Sequence, residues 1–235
     1  MTQVELHRDA LRALPAEEVP AYLTARSGLP GPRSNLELLT AFGDVAPAGL
    51  ILDLAASPDE YLRACGTAAV GRLLVESPAD TALTALLHAR AADPSWRVRE
   101  AAAMALQRVG DVDGAALRLL VQAWAHDPHP LVRRAAIAGV CEPRLLRDPA
   151  TAAAALAACR AATDSVEALP ADARRDPDVR TLRQALGYCW SVAVAGDPTA
   201  GLRAFAALER SPDPDTAWVV RENRKKARLV RLLPA

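Results

Sequence analysis

Aromatic residues are scarce in this chain: four Trp, three Tyr and two Phe make up 4% of 235 residues. Lysine is scarcer still, occurring only as Lys225 and Lys226, so arginine carries almost all the positive charge. Neither sign of charge dominates. With 28 basic and 28 acidic residues, the chain has no global field drawing it toward nucleic acid or a membrane surface. The first residues, Met1 to Asp9, contain no apolar core of a secretory signal. The longest nearly uncharged apolar run, around residues 150–159, falls short of the roughly 20 residues that span a bilayer. No membrane association is expected, and the chain reads as cytoplasmic. Cys65, Cys141, Cys159 and Cys189 include no Cys-x-x-Cys pair, which argues against a disulfide scaffold or zinc site and for buried free thiols. His126, Asp127 and His129 are an incomplete ligand set hemmed in by Pro128 and Pro130, so no metal is expected. A glycine-rich phosphate loop with its lysine and a Gly-x-Ser-x-Gly nucleophile turn are both missing, and no cofactor is predicted.

Alanine, leucine and valine fill the space left by these absences. Hydrophobic residues are 51% of the chain, and no segment reads as a run of alternating strands. Small side chains at this density suit closely packed helices, and alanine is the best helix former. One stretch organises the rest: Asp93-Pro94-Ser95-Trp96-Arg97-Val98-Arg99-Glu100, followed by Ala101 to Leu106. Asp93 is predicted as N-cap and Pro94 as the first helical residue. Val98, Ala102, Ala105, Leu106 and Val109 fall on one helical stripe. The same pattern stands upstream at Ser57-Pro58 and downstream at Asp127-Pro128, which aligns Arg63 with Arg99 and Arg133. The steps are 36 and 34 residues. A fixed period between roughly 20 and 50 residues marks a solenoid.

The predicted layout is a single all-α domain over residues 1–235. An N-terminal cap covers 1–44, regular helical pairs cover 45–145, and divergent repeats with a C-terminal cap cover 146–235. Helices are expected to begin at Pro58, Ser77-Pro78, Asp93-Pro94, Asp111, Asp127-Pro128, Asp148-Pro149, Asp178 and Asp197-Pro198. The last is expected to run from Asp213 to Leu233. The helix after Asp111 is predicted to bury Leu119, Leu120, Ala123 and Trp124. Residues 163–177 read as an irregular connection. The loop Gly28 to Asn35 has two readings, a rigid turn or, with Arg33 in it, an anion-holding loop.

An Asp-Pro start, an apolar-Arg pair and then small residues, repeated in helical pairs of about 35 residues, resembles HEAT repeats. The resemblance implies a right-handed α-α solenoid with a concave binding surface. It also implies that Arg63, Arg99 and Arg133 form a ladder with acidic residues of neighbouring repeats. Function follows as a non-enzymatic scaffold that engages a protein partner, with Arg99, Arg133 and Arg134 near the groove wall and Trp124 in the core or lining the groove.

The same residues are also similar to the HEAT-like DNA alkylation-repair glycosylases. That family presents a tryptophan and a carboxylate four residues apart and an arginine on a later helix. Here Trp96, Glu100 and Arg134 match, with Glu in place of the family's usual Asp and Leu131 in place of an aromatic. This resemblance implies that Glu100 stabilises positive charge on a departing nucleoside, while Trp96 packs on the sugar-phosphate and Arg134 holds a phosphate. Duplex DNA is then the partner. An enzyme-associated lyase or maturation subunit of HEAT-repeat type stays open as a third reading. Near the C-terminus, Arg224, Lys225, Lys226 and Arg228 form a dense cationic stretch. It reads either as phosphate-contacting or as the solvated face of a terminal cap.

Overall fold

The structure, a computed structural model, describes residues 1–233. It holds fourteen α-helices and, among the described residues, no strand. The chain divides into two compact units, Met1–Val112 and the chain from Asp113 onward. In the first unit the helices are α1 (Gln3–Ala13), α2 (Val19–Ala25), α3 (Leu36–Val45), α4 (Ala48–Ala55), α5 (Glu60–Glu76), α6 (Thr81–Ala91) and α7 (Trp96–Val112). Here α1, α3, α5 and α7 pack side by side in that order, while α4 lies against α5 and α6 against α7. In the second unit the helices are α8 (Gly114–Trp124), α9 (Pro130–Val140), α10 (Pro149–Glu167), α11 (Pro177–Gly196), α12 (Pro198–Leu208), α13 (Pro214–Arg224) and α14 (Ala227–Val230). There α9, α11 and α13 form one row and α8, α10 and α12 the other, with α14 on α11 and α13. Both units are thus sequentially packed helical pairs, the arrangement of an α-α solenoid.

Helix starts explain the register. Asp148, Asp176 and Asp197 cap α10, α11 and α12 directly, each followed by proline in the first turn. At the repeat motif itself the expectation is corrected, because α7 begins at Trp96 rather than Pro94. Asp93 Oδ1 accepts the Ser95 N–H at 2.8 Å, and Ser95 Oγ then accepts the Arg97 N–H at 3.2 Å. The first residue closes a side-chain turn across the proline, and the residue two further on meets the helix. The same two-step start recurs where Ser57 holds Asp59, the cap of α5, and Asp127 holds His129, the cap of α9. It occurs again where Ser211 holds Asp213, the cap of α13. Asp80 likewise moves the start of α6 to Thr81.

Small residues let the rows close up. Val98, Ala102, Ala105, Leu106 and Val109 are all buried on α7, as the stripe predicts. A Cβ on Gly66 would overlap the backbone of Ala55 on α4, and one on Gly71 the backbone of Ala105 on α7. Helix α5 therefore touches both neighbours nearly backbone to backbone. In the second unit three expectations are corrected. Helix α8 buries Leu117, Val121 and Trp124, whereas Leu119 is 69% exposed on the other side. Residues 163–167 are helical, because Thr163 Oγ1 finds partners inside the fold. It donates to the Cys159 carbonyl at 2.8 Å and accepts from Trp190 Nε1 at 3.0 Å. The C-terminal segment is not one helix, since α13 ends at Arg224 and α14 is a separate turn.

Candidate functional site

Residues 26–35 form an ordered loop. Gly28 has φ of 79°, in the left-handed region that favours glycine. The Gly31 N–H donates to the Gly28 carbonyl at 2.9 Å and the Asn35 N–H to the Ser27 carbonyl at 2.8 Å, which closes the loop. Asn35 Oδ1 then caps α3 by accepting the Leu38 N–H at 3.0 Å. The buried Tyr61 hydroxyl donates to the Asn35 carbonyl at 2.6 Å. Burial, then the neighbouring Cys65, pushes the Tyr61 phenol upward, so it stays a neutral donor. These bonds hold Pro32, Arg33 and Ser34 against one end of the α3–α5–α7 row.

There the loop and the three helices surround a cavity of about 190 Å³. Leu39, Ala64 and Ala101 are buried and supply an apolar floor, with Met104 half-buried beside them. Trp96 and Leu36 stand at the rim, 53% and 51% exposed. Arg33 and Glu100 complete it. Trp96 is braced by the Arg97 guanidinium, 4.7 Å from its ring centroid. Arg97 is itself fixed by Glu60 at 3.1 Å.

Arginine elsewhere in this unit is also largely committed. Arg63 grips Asp93 through Nε at 2.9 Å and Nη2 at 3.3 Å, a bidentate pair across the repeat junction. Its Nη1 donates to the Ser57 and Pro58 carbonyls at 2.8 and 3.1 Å. Arg99 repeats that geometry one repeat later, donating to the Asp93 and Pro94 carbonyls at 2.7 and 2.9 Å. The Arg63 rung of the implied ladder is therefore present. Arg8 and Arg108 both pair with Asp44, which ties α1, α3 and α7 together.

Of the residues singled out from sequence, Trp96 and Glu100 share this cavity, while Arg99 serves the turn before α7. Glu100 is already engaged. The remaining residues belong to the second unit. Trp124 is 5% exposed and part of the core, the first of its two readings, on the buried stripe of α8. Arg133 is half-buried, and burial pushes its pKa down against the restoring charge of Asp127. Arg134 is half-buried and engaged. Arg224 pairs with Glu209 at 2.8 Å and Lys225 with Glu222 at 2.6 Å. Arg228 donates to the Tyr188 hydroxyl at 2.8 Å, and Lys226 lies 5.7 Å from the Tyr188 ring centroid. The cationic stretch is thus partly neutralised within its own unit. His129 caps α9 through Nδ1, and His126 Nδ1 contacts the Gln122 carbonyl. Cys141 and Cys159 lie 3.7 Å apart, both buried. Hydrogen bonding with Cys159 and burial push the Cys141 thiol up, which keeps it protonated and unreactive.

Leu36 was not singled out from sequence as a rim residue. Its position directly after the Asn35 cap was the available signal. A first-turn residue on the loop side can face away from the packed row. A larger hollow of about 690 Å³ lies between α8 and α10, walled mostly by alanines and Leu119. Arg118 at its edge is tied to Asp148 at 2.8 Å.

Known proteins can now be set beside this geometry. The family model for HEAT repeats matches residues 38–141. No curated protein matches the chain. Two solved structures similar to it are engineered proteins from the Northeast Structural Genomics Consortium. One is 16% identical, covers 99% of this chain and 98% of its own, and has a TM-score of 0.38. The other is 18% identical, covers 97% of this chain and 57% of its own, and has a TM-score of 0.37. No helix among the described residues is long and apolar enough to cross a membrane. The repeated capped turns, the Arg63–Asp93 rung and the family match agree that residues 38–141 carry HEAT repeats.

Proposed function

We propose that the chain is a non-enzymatic binding scaffold that engages a protein partner through the face formed by α3, α5 and α7. The exposed but braced Trp96 at the rim of the cavity carries this reading. Tryptophan is among the commonest anchors of protein interfaces, particularly beside a pocket with a desolvated floor. Bracing by Arg97 limits the side-chain freedom that binding would otherwise remove. The surrounding charge supports the same reading, because Arg8, Arg63, Arg97 and Arg108 are spent on carboxylates within the unit. Such a face lacks the free cationic stripe that phosphate backbones require. The test is a photoreactive amino acid placed at Leu36 and, as a control, at the equally exposed Val230. A discrete protein adduct formed in the native host only from position 36, and lost in Trp96→Ala, is expected. Identical adducts from both positions, or none from position 36, would contradict the reading.

One observation favours a second reading: Trp96 and Glu100 line the same cavity, as the resemblance to alkylation-repair glycosylases requires. A titration with labelled duplex DNA, plain and containing N7-methylguanine, tests it. Salt-sensitive binding that weakens in Arg134→Ala would support nucleic-acid recognition, and release of the methylated base would establish a glycosylase. No binding at low salt excludes both.

A further inference from the structure

One feature of the Trp96 cavity is unexplained by packing. Arg33, exposed at the rim, makes no hydrogen bond or ion pair among the described residues. Arg97 beside it is already paired, its Nη1 reaching Glu60 at 3.1 Å. The other charged group of the lining, Glu100, is already engaged. The local balance therefore leaves one uncompensated guanidinium, that of Arg33, beside an apolar floor.

We infer that the cavity receives a short acidic-apolar segment of the partner: one Leu-, Met- or Phe-sized side chain, next to an Asp or Glu. This inference rests on the scaffold reading above and names what that scaffold recognises. The volume of about 190 Å³ admits one large apolar side chain and little more. That side chain lies between Trp96 and Leu36 on the floor of Leu39, Ala64 and Ala101. The adjacent carboxylate meets Arg33, where a guanidinium offers a planar fork matched to two carboxylate oxygens. Apolar burial provides the attraction and Arg33 the selectivity, because a lysine in place of the acid would meet a like charge.

The experiment uses the full chain and three synthetic peptides with blocked ends: Gly-Asp-Leu-Asp-Gly, Gly-Lys-Leu-Lys-Gly and Gly-Asp-Gly-Asp-Gly. Ligand-observed saturation-transfer NMR reads the weak affinity expected of a single pocket. The Asp-Leu peptide is expected to bind about tenfold tighter than either of the others, on the scale of one desolvated anchor plus one ion pair. Trp96→Ala is expected to abolish its signal. Arg33→Glu, with a wild-type thermal melt as control for folding, is expected to reverse the preference toward the Lys-Leu peptide. Equal binding of the Asp-Leu and Lys-Leu peptides, an unchanged preference in Arg33→Glu, or no binding of any peptide would overturn the inference. If no peptide binds while the Leu36 adduct persists, only the pocket's assignment is wrong. If the adduct is also missing, the scaffold reading falls with it.

Discussion

Asp93 joins three jobs in one carboxylate. It accepts the Ser95 N–H, holds Arg63 through Nε and Nη2 and lies 3.8 Å from Arg90, with its side chain only 3% exposed. Removing one member of a buried pair leaves the other charge uncompensated. Asp93→Ala is therefore expected to cost about 3 kcal/mol in urea denaturation. In a double-mutant cycle with Arg63→Ala, the second substitution should cost much less than it does alone. Asn223 has a comparable place in the second unit. Fully buried, it donates to the Leu186 and Val219 carbonyls and accepts the Ser191 N–H at 2.8 Å. Asn223→Ala would remove three fully buried hydrogen bonds, two of them joining α13 to α11, at a cost of about 2 kcal/mol. Equilibrium unfolding checks this. The two residues differ in legibility. Asp93 stands in a motif repeated at fixed spacing, and its importance was readable. Asn223 sits among Glu222, Arg224 and Lys225, where polarity reads as surface. Only the three-dimensional approach of α13 to α11 shows that it faces inward.

Elements were legible where local chemistry sets them and illegible where packing does. The stripe of α7 and the Asp-Pro caps of α10 and α12 follow from 3.6-residue periodicity and capping. The two-residue delay at α5, α7 and α9 does not, because Asp-Pro is compatible both with a direct cap and with a side-chain turn that precedes one. The close crossing at Gly71 was also hidden, since glycine inside a helix looks only like a weakness. Gly71→Ala should raise intrinsic helix propensity by about 1 kcal/mol. It should nonetheless lower the melting temperature, because the added methyl meets the backbone of Ala105. A melting temperature at or above wild type would contradict the packing account. The connection between α10 and α11 supplies a pH prediction. Burial pushes Asp213 up, but the hydrogen bond from Arg174 and the backbone N–H groups of α13 outweigh it, and its pKa lies below the usual carboxylate value. Its stabilising contribution is complete above the unfolded value of about 3.9 and is lost as pH falls through the lower folded value. Unfolding measured between pH 6 and pH 2 should show a steeper acid loss in wild type than in Asp213→Asn.

At the scale of the whole molecule, the balanced charge is accompanied by pairing within each unit. Arg8, Arg63, Arg97, Arg108, Arg174 and Arg224 each face a carboxylate of their own unit. The candidate site was only half legible. Trp96 and Glu100 were singled out by their resemblance to the alkylation-repair glycosylases, whose four-residue spacing puts both on one helix face. Arg33 was noted within a loop, but its place at the same cavity depends on how residues 26–35 close upon α3. The reading of the Trp96 cavity as the binding centre makes one comparison decisive. The partner held by the Leu36 adduct would be titrated against the wild-type chain, Trp96→Ala and Tyr188→Ala, the last altering an aromatic residue 44% exposed in the second unit. Trp96→Ala should weaken binding by about thirtyfold, the scale of an interface anchor at 2 kcal/mol, while Tyr188→Ala leaves it near wild type. Undiminished affinity in Trp96→Ala, with the loss falling on Tyr188→Ala instead, would contradict the account.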